Sequence, residues 1–395
     1  MSVYLKEEHV REAEKLVAAA RRNGGLAPVD VERFWADHAK AAADPWADDC
    51  PQVPLGVMMS GECVFDELGI PEDYHRLAHD DDYRVTHAKA YNDKAERIVG
   101  RRVLRETRCD LAKRYPPRKQ LHDVFEAVNE WRAGSYWLRQ SARNEDELAA
   151  LLDRVERRLE NLAEFILPEN WAAEKARLTA EGVNPPLFRG MRGPVTFAMS
   201  VYGSENLIFL ILDNPALAGR FRDVLTRAIL AYARVLDAEA GVTAADRPGW
   251  GWCDDNSCLL NPEMYEFFGY PILEAVFAAY SPNPGDRRYQ HSDSDMAHLL
   301  PLLGRLGLTG TNFGPTVAVR EIRRHLPDAV IYGQIAPFTF SRNEEVNLVA
   351  ECLRDFEMAR EARGLYLATA GSINNGSRLT GMRLIMAAIQ QYGRY

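Results

Sequence analysis

One pattern constrains this chain more than any other. A short apolar run is followed by a turn and then by an amphipathic helix, and the unit recurs along the sequence. Apolar runs of that length read as strands buried on both faces. A helix after each run returns the chain so that the next strand lies parallel to the last. Eight runs fit the strand role: Val53–Met59, Ser135–Leu138, a third ending near Arg189–Pro194, Gly249–Asp254, Arg288–Ser292, Gly310–Phe313, Ala329–Gln334 and Gly364–Thr369. Eight βα units predict an α/β protein with the architecture of a (β/α)8 TIM barrel.

The segments between the runs supply the helices. From Glu145 to Glu164 the residues Leu148, Leu151, Leu152, Val155, Leu159 and Leu162 recur at helical spacing. Asn144, with Glu147 three residues on, marks the start. Pro215–Ala240, Asn343–Ala362 and Thr380–Tyr392 predict three more helices. Residues 1–50 are polar and helical in pattern and are expected to form an extension covering the bottom or side of the barrel. The barrel itself is expected over 51–395. Residues 74–133 are too long for a simple crossover, and predict a helical insertion packed over the barrel mouth.

Composition removes several function classes. The net charge of −9 disfavours nucleic acid as a partner, because phosphate binding needs a basic surface. No apolar run approaches the ~18–20 residues that cross a bilayer. The start, Met1 to His9, lacks the apolar core of a signal peptide, so the expected location is the cytoplasm without membrane attachment. The six cysteines are scattered and contain no CxxC pair, which predicts reduced, mostly buried thiols. That includes Cys253 and Cys258, although each has polar neighbours.

In a barrel of this kind the chemistry sits at the carboxyl ends of the strands. Nearly every run here ends in polar or titratable residues: Arg192 after the third, Asp254 and Asp255 after the fourth, and His291, Asp293 and Asp295 at the fifth. Asn312 ends the sixth, Gln334 the seventh, and Ser372 and Asn374 follow the eighth. His291 and Asp293 are two apart, so in extended chain both side chains point the same way. Such a pair can ligate a divalent metal or act as an acid–base couple. Asp293 or Asp295 can instead cap the helix that begins near Met296. Asp254 and Asp255 are adjacent and point to opposite sides if the strand continues. Trp250 and Trp252 are expected in the barrel core.

Several stretches resemble the uroporphyrinogen decarboxylase superfamily. Arg192–Ala198 is similar to its "GPxT" segment, and Asp254-Asp255 with Asn261–Phe267 to its "DD…SPExYxEF" block. His291-Ser292-Asp293 falls where members carry His-x-Cys-Gly, and Tyr332–Pro337 where they carry "GNxxP". The tail ends in a "YGxY"-like Tyr392-Gly393-Arg394-Tyr395. The resemblance covers roughly residues 185–395. It implies a TIM barrel and an enzyme that is either a decarboxylase or a methyltransferase passing methyl groups between corrinoids and thiols.

Both branches differ from this chain at their key positions. The decarboxylases place an arginine-rich "RQAGRY" motif after strand one, where this chain reads Met58–Cys63 with no arginine. The thiol methyltransferases hold zinc through His-x-Cys and a later Cys, and the aligned residues here are His291, Asp293 and Ser372. Oxygen donors make a harder site than thiolates do.

Three functions are therefore expected in turn. The first is metal-assisted methyl (one-carbon) transfer from a small methylated substrate, with His291, Asp254 and Asp293 catalytic and His291 and Asp293 as metal ligands. The resemblance implies a divalent metal, zinc or another, together with a corrinoid carrier protein and a homodimer as partners. The second is a cofactor-free decarboxylase or lyase of a small carboxylated substrate. The third is a non-catalytic ligand-binding barrel. Arg192, Asp255, Asn312, Gln334, Ser372 and Asn374 are the expected substrate-binding residues.

Overall fold

The computed structural model describes residues 4–186, 189 and 191–395. Met1 to Val3 and Gly190, both within stretches read above, lie outside the described residues. The strands in chain order are β1 Val128–Arg132, β2 Ser135–Arg139, β3 Trp250–Cys253, β4 Arg288–His291, β5 Gly310–Asn312, β6 Val330–Ile335 and β7 Leu365–Thr369. The chain divides into two compact units. One holds Met1–Arg108, Ser292–Leu300 and Gly310–Tyr395, and the other Cys109–His291 and Pro301–Thr309.

The first unit carries β5, β6 and β7 as parallel neighbours, with Gly310 opposite Val330 and Ile331–Ile335 opposite Leu365–Thr369. Behind them lies the helix Glu345–Ala359, packed against β6, β7 and the helices Glu7–Arg22 and Leu379–Tyr392. Every residue from Leu348 to Phe356 is buried, so this helix has no water-facing side over two turns. Glu7–Arg22 reaches it through a stripe of Ala13, Leu16, Val17 and Ala20, the spacing that puts side chains on one helical face.

The expected first strand, Val53–Met59, is reduced in this unit to a single parallel bridge, Leu55 to Leu367. Two backbone bonds flank it, Gly56 N–H to Leu367 O at 2.8 Å and Leu367 N–H to Pro54 O at 2.9 Å. Pro54 accepts but has no N–H to donate, which limits the ladder at that point.

The second unit carries β3 and β4, parallel from Trp250 opposite Arg288 to Cys253 opposite His291. The expected third strand contributes one bridge, Arg192 to Cys253. Ser135–Leu138, expected as a parallel barrel strand, instead forms an antiparallel hairpin with β1. Its turn, Ala133-Gly134, has positive φ at both positions (51° and 79°), the backbone of a tight reversal. A two-residue turn returns the chain at once, whereas a parallel partner needs a long crossover.

The helices of this unit follow their sequence signals closely. Pro215–Ala240 starts at a proline, is capped by Asn214 and stops at Gly241 in the left-handed region. Asn144 accepts the Glu147 N–H at 2.9 Å, while Glu147 reaches back to the Arg143 N–H at 2.9 Å. The helix they start ends at Glu160. A second short helix, Leu162–Ile166, follows where one continuous helix to Glu164 was expected.

Five parallel strands and two single bridges are thus present, and no closed barrel forms among the described residues. Residues 74–108 of the expected insertion belong to the first unit and 109–133 to the second. No single helix among the described residues is long and apolar enough to cross a membrane. None of the six cysteines forms a disulfide among the described residues, but Cys109 and Cys253 are exposed, against the expectation for Cys253. β3 explains the latter. Its alternation buries Trp250 and Trp252 on one face and leaves Gly251 and Cys253 on the other.

Candidate metal centre and strand-end site

In the second unit, β3 runs directly into the Asp254-Asp255 pair, and the two carboxylates part company there. Asp254 is fully buried and accepts the Thr196 N–H at 2.7 Å and, more weakly, the Val195 N–H at 3.5 Å. These are orphan donors of the first turn of the helix Pro194–Tyr202, so the carboxylate caps that helix from a neighbouring strand. Thr196 completes the link by accepting the Asn256 N–H through its hydroxyl at 3.0 Å. Burial pushes the Asp254 carboxyl up to about 6, against the opposing pull of the Thr196 and Val195 donors. Gly193 makes this approach possible, since a Cβ there would lie 2.1 Å from the Asp254 Cβ.

Asp255 begins a 3-10 turn, which takes its side chain out of the strand alternation and leaves it half-buried. His291, at the end of β4, is also half-buried, and the two residues offer ligand atoms within 4.8 Å of one another. Asp293 follows His291 by two residues of chain and belongs to the first unit. A carboxylate and an imidazole this close can supply two ligands to a divalent cation. Asp295, weighed above as a cap, accepts the Ala297 N–H at 3.0 Å and starts the turn after β4.

In the first unit, Asp293 lies against bare backbone. A Cβ on Gly371 would fall 2.5 Å from the Asp293 Oδ1, and Gly371 has φ +113°, so glycine is required twice over. Ser372 is exposed and Asn374 half-buried on the loop that follows.

Asn312 and Gln334 are different in kind. The Asn312 amide donates to Tyr332 O and to Thr369 O (2.9 Å), while its oxygen accepts the Gly371 N–H at 3.1 Å. It stitches three strand ends together. The Gln334 amide donates to Gly314 O (3.0 Å) and Val317 O (2.7 Å) and is fully buried.

A buried charge cluster beneath Gln334 was not foreseen. Asp355 accepts the Gln334 N–H at 3.1 Å, and Arg354 donates to Gln334 O at 3.0 Å and pairs with Asp355 at 2.7 Å. Glu351 accepts the Ala336 N–H at 2.8 Å and the Thr339 hydroxyl at 2.9 Å. Burial raises the Glu351 carboxyl to about 7 and raises Asp355 as well, the latter opposed by Arg354. The sequence did hold a signal: Glu351, Arg354 and Asp355 interrupt an otherwise apolar stretch of helix.

Comparison with known proteins adds the following. A family model described as "Uroporphyrinogen decarboxylase (URO-D)" matches residues 145–392. Among solved structures, a methyltransferase from Methanosarcina mazei aligns with a TM-score of 0.52 and 16% identity, over 89% of this chain and 96% of that one. At such identity the likeness is one of fold. No curated protein matches the chain.

Proposed function

The chain belongs to the uroporphyrinogen decarboxylase family, and from that premise we propose that it is a metal-assisted methyltransferase acting on a small methylated substrate. The observation that carries this reading is the pair Asp255 and His291, whose ligand atoms lie within 4.8 Å of one another in the second unit; Asp293, two residues on in the sequence, is the third ligand we propose. Two carboxylates and one imidazole suit a hard or borderline divalent cation better than a thiolate-type zinc. The structural likeness to a methyltransferase supports the same branch. The architecture we propose is the family's (β/α)8 barrel, with the Leu55 and Arg192 bridges marking two of its strands.

In the transfer, the bond between the methyl carbon and a heteroatom of the substrate breaks. The bonding pair stays on the heteroatom, which then takes a proton, and the methyl group passes to a nucleophilic acceptor. A bound divalent cation supplies Lewis-acid stabilisation of the leaving heteroatom. Asp255 and His291 would hold it, with Asp293 as the third proposed ligand. Gly371 leaves room for the Asp293 carboxylate. Asp254 acts one step back, fixing the end of β3 to the helix Pro194–Tyr202 and thereby the position of Asp255. The acceptor we propose is a corrinoid-carrying protein, and the location the cytoplasm.

Metal analysis of the purified protein tests the reading. We expect close to one divalent metal per chain, lost in His291→Ala together with at least ~10²-fold in turnover of a methylated substrate, while the variant's circular dichroism stays unchanged. A metal-free wild type, or a variant that keeps its metal, rejects it. One observation favours a second reading, decarboxylation or lysis of a small carboxylate: Arg192 has no carboxylate partner among the described residues. Turnover of a carboxylated substrate by metal-free protein, lost in Arg192→Ala, would establish that reading instead.

A further inference from the structure

A second place in the protein is built for a ligand. A cavity of about 730 Å³ runs along β3 in the second unit, from Arg247 and Arg287 at the strand's start to Arg192 at its end. No aspartate or glutamate lines it among the described residues. Its walls are the β3 backbone with Met191, Pro248 and the Tyr289 side chain.

The arginines fall into two kinds. Arg189 is fully employed: its Nε donates to Asp237 at 2.6 Å and its Nη1 to the Arg247 carbonyl at 2.8 Å. It therefore anchors the segment that presents Arg247. Arg192, Arg247 and Arg287 have no acidic partner among the described residues. The Arg287 guanidinium lies 4.7 Å from the Tyr289 ring centre and rests on Gly251, where a Cβ would fall 2.6 Å from its Nη1. Stacking on an aromatic face holds a guanidinium in place while leaving its donor edge open. Gathering unpaired positive charge in one concavity is unfavourable unless an anion offsets it.

We propose that this cavity binds an organic oxyanion, a carboxylate or phosphate carried on a flat apolar body. The head accepts forked hydrogen bonds from Arg247 and Arg287, and the body lies along the β3 backbone beside Tyr289, Met191 and Pro248. The cavity's volume falls within the ~300–1,000 Å³ usual for small-molecule sites. The site stands on groups other than the proposed metal ligands, and its test separates the two.

The test is calorimetric titration of the full chain with 1-naphthoate, 1-naphthyl phosphate and the neutral 1-naphthamide. At least one anion should bind with a sub-millimolar Kd, and the amide at least ~10-fold more weakly. The preferred anion distinguishes a carboxylate site from a phosphate site. Arg247→Gln and Arg287→Gln should each weaken the anion by ~10-fold, with Arg287→Lys intermediate because it keeps charge and loses the fork. Arg227→Gln, which removes a surface arginine paired with Glu156, should bind as wild type. His291→Ala should also bind as wild type, even where it abolishes metal binding. The proposal fails if neither anion binds, if the amide binds as well as the anions, if both glutamine variants match wild type, or if His291→Ala abolishes binding.

Discussion

Asn312 and Gln334 end their strands buried: backbone groups engage both ends of the Asn312 amide, and the Gln334 NH2 donates to two carbonyls while its oxygen finds no partner among the described residues. Asp255, His291 and Asp293 end or follow theirs half-buried or exposed, and Asp255 and His291 present ligand atoms to one another. Both sets occupy the same kind of position. The contrast shows that a polar residue at a strand's carboxyl end is either a fastener for the neighbouring strands or a group held out for chemistry. Burial and hydrogen-bond saturation tell them apart. A buried amide left unpaired costs about 1–3 kcal/mol, so a fastener is under strong structural demand. A half-exposed carboxylate pays little for being there.

Substitutions sharpen this comparison, starting on the fastening side. Arg354→Met leaves Asp355 and Glu351 buried without their cation and should lower unfolding free energy by about 3–5 kcal/mol in urea titration. A loss under ~1 kcal/mol would show that the cluster is not a fastener. Glu351 gives a pH signature of up to about 3 kcal/mol. Its folded carboxyl sits near 7, while its ordinary value is 4.5. Between those values the folded chain holds a proton that the unfolded chain has released, so the contribution falls as pH rises through that window. The difference between wild-type and Glu351→Gln stabilities, measured from pH 4.5 to 7.5, should slope accordingly. A flat difference contradicts the buried neutral carboxyl.

Gly371→Ala probes the boundary between the two classes. The new Cβ meets the Asp293 carboxylate, and the positive φ adds strain, so stability should fall by about 1–3 kcal/mol. Metal affinity, measured by competition with a chelating dye, should fall by about tenfold. Unchanged affinity would mean that Asp293 does not depend on this seat. The smallest effect belongs to the open side: Asp293→Asn should alter stability by less than ~0.5 kcal/mol while lowering metal content. A large stability loss would move Asp293 among the fasteners.

Much of this was legible beforehand, for local reasons. Pro215–Ala240 announced both its ends through a proline and a glycine, and β3 to β7 each fell within a short segment bounded by turn residues. The strand-end residues were legible as a group. Their division was not, because what saturates Asn312 is backbone at Tyr332, Thr369 and Gly371, distant in sequence and invisible to any pattern. Asp254 is the sharpest case. In the sequence it reads as the catalytic member of the pair and Asp255 as a substrate-binding residue, and only the approach of Val195 and Thr196 shows Asp254 capping a helix. The hairpin was misread because Ser135–Leu138 has the composition of a buried strand, while the short Ala133-Gly134 turn that sets its partner has few residues to signal itself.

The helix Glu345–Ala359 has a consequence for how the protein is made. It has no face of its own for water, and its neighbours include Glu7–Arg22, near the start of the chain, and Leu379–Tyr392, near its end. The residues to Arg108 leave the ribosome well before the rest of their unit, which, apart from Ser292–Leu300, begins only at Gly310. At about 5–20 residues per second, the intervening synthesis takes roughly 10–40 s. Throughout that interval the Ala13, Leu16, Val17 and Ala20 stripe has emerged without the surface it is shaped to meet. The helix Glu7–Arg22 is thus synthesised long before it is sheltered, and chaperone demand should concentrate there.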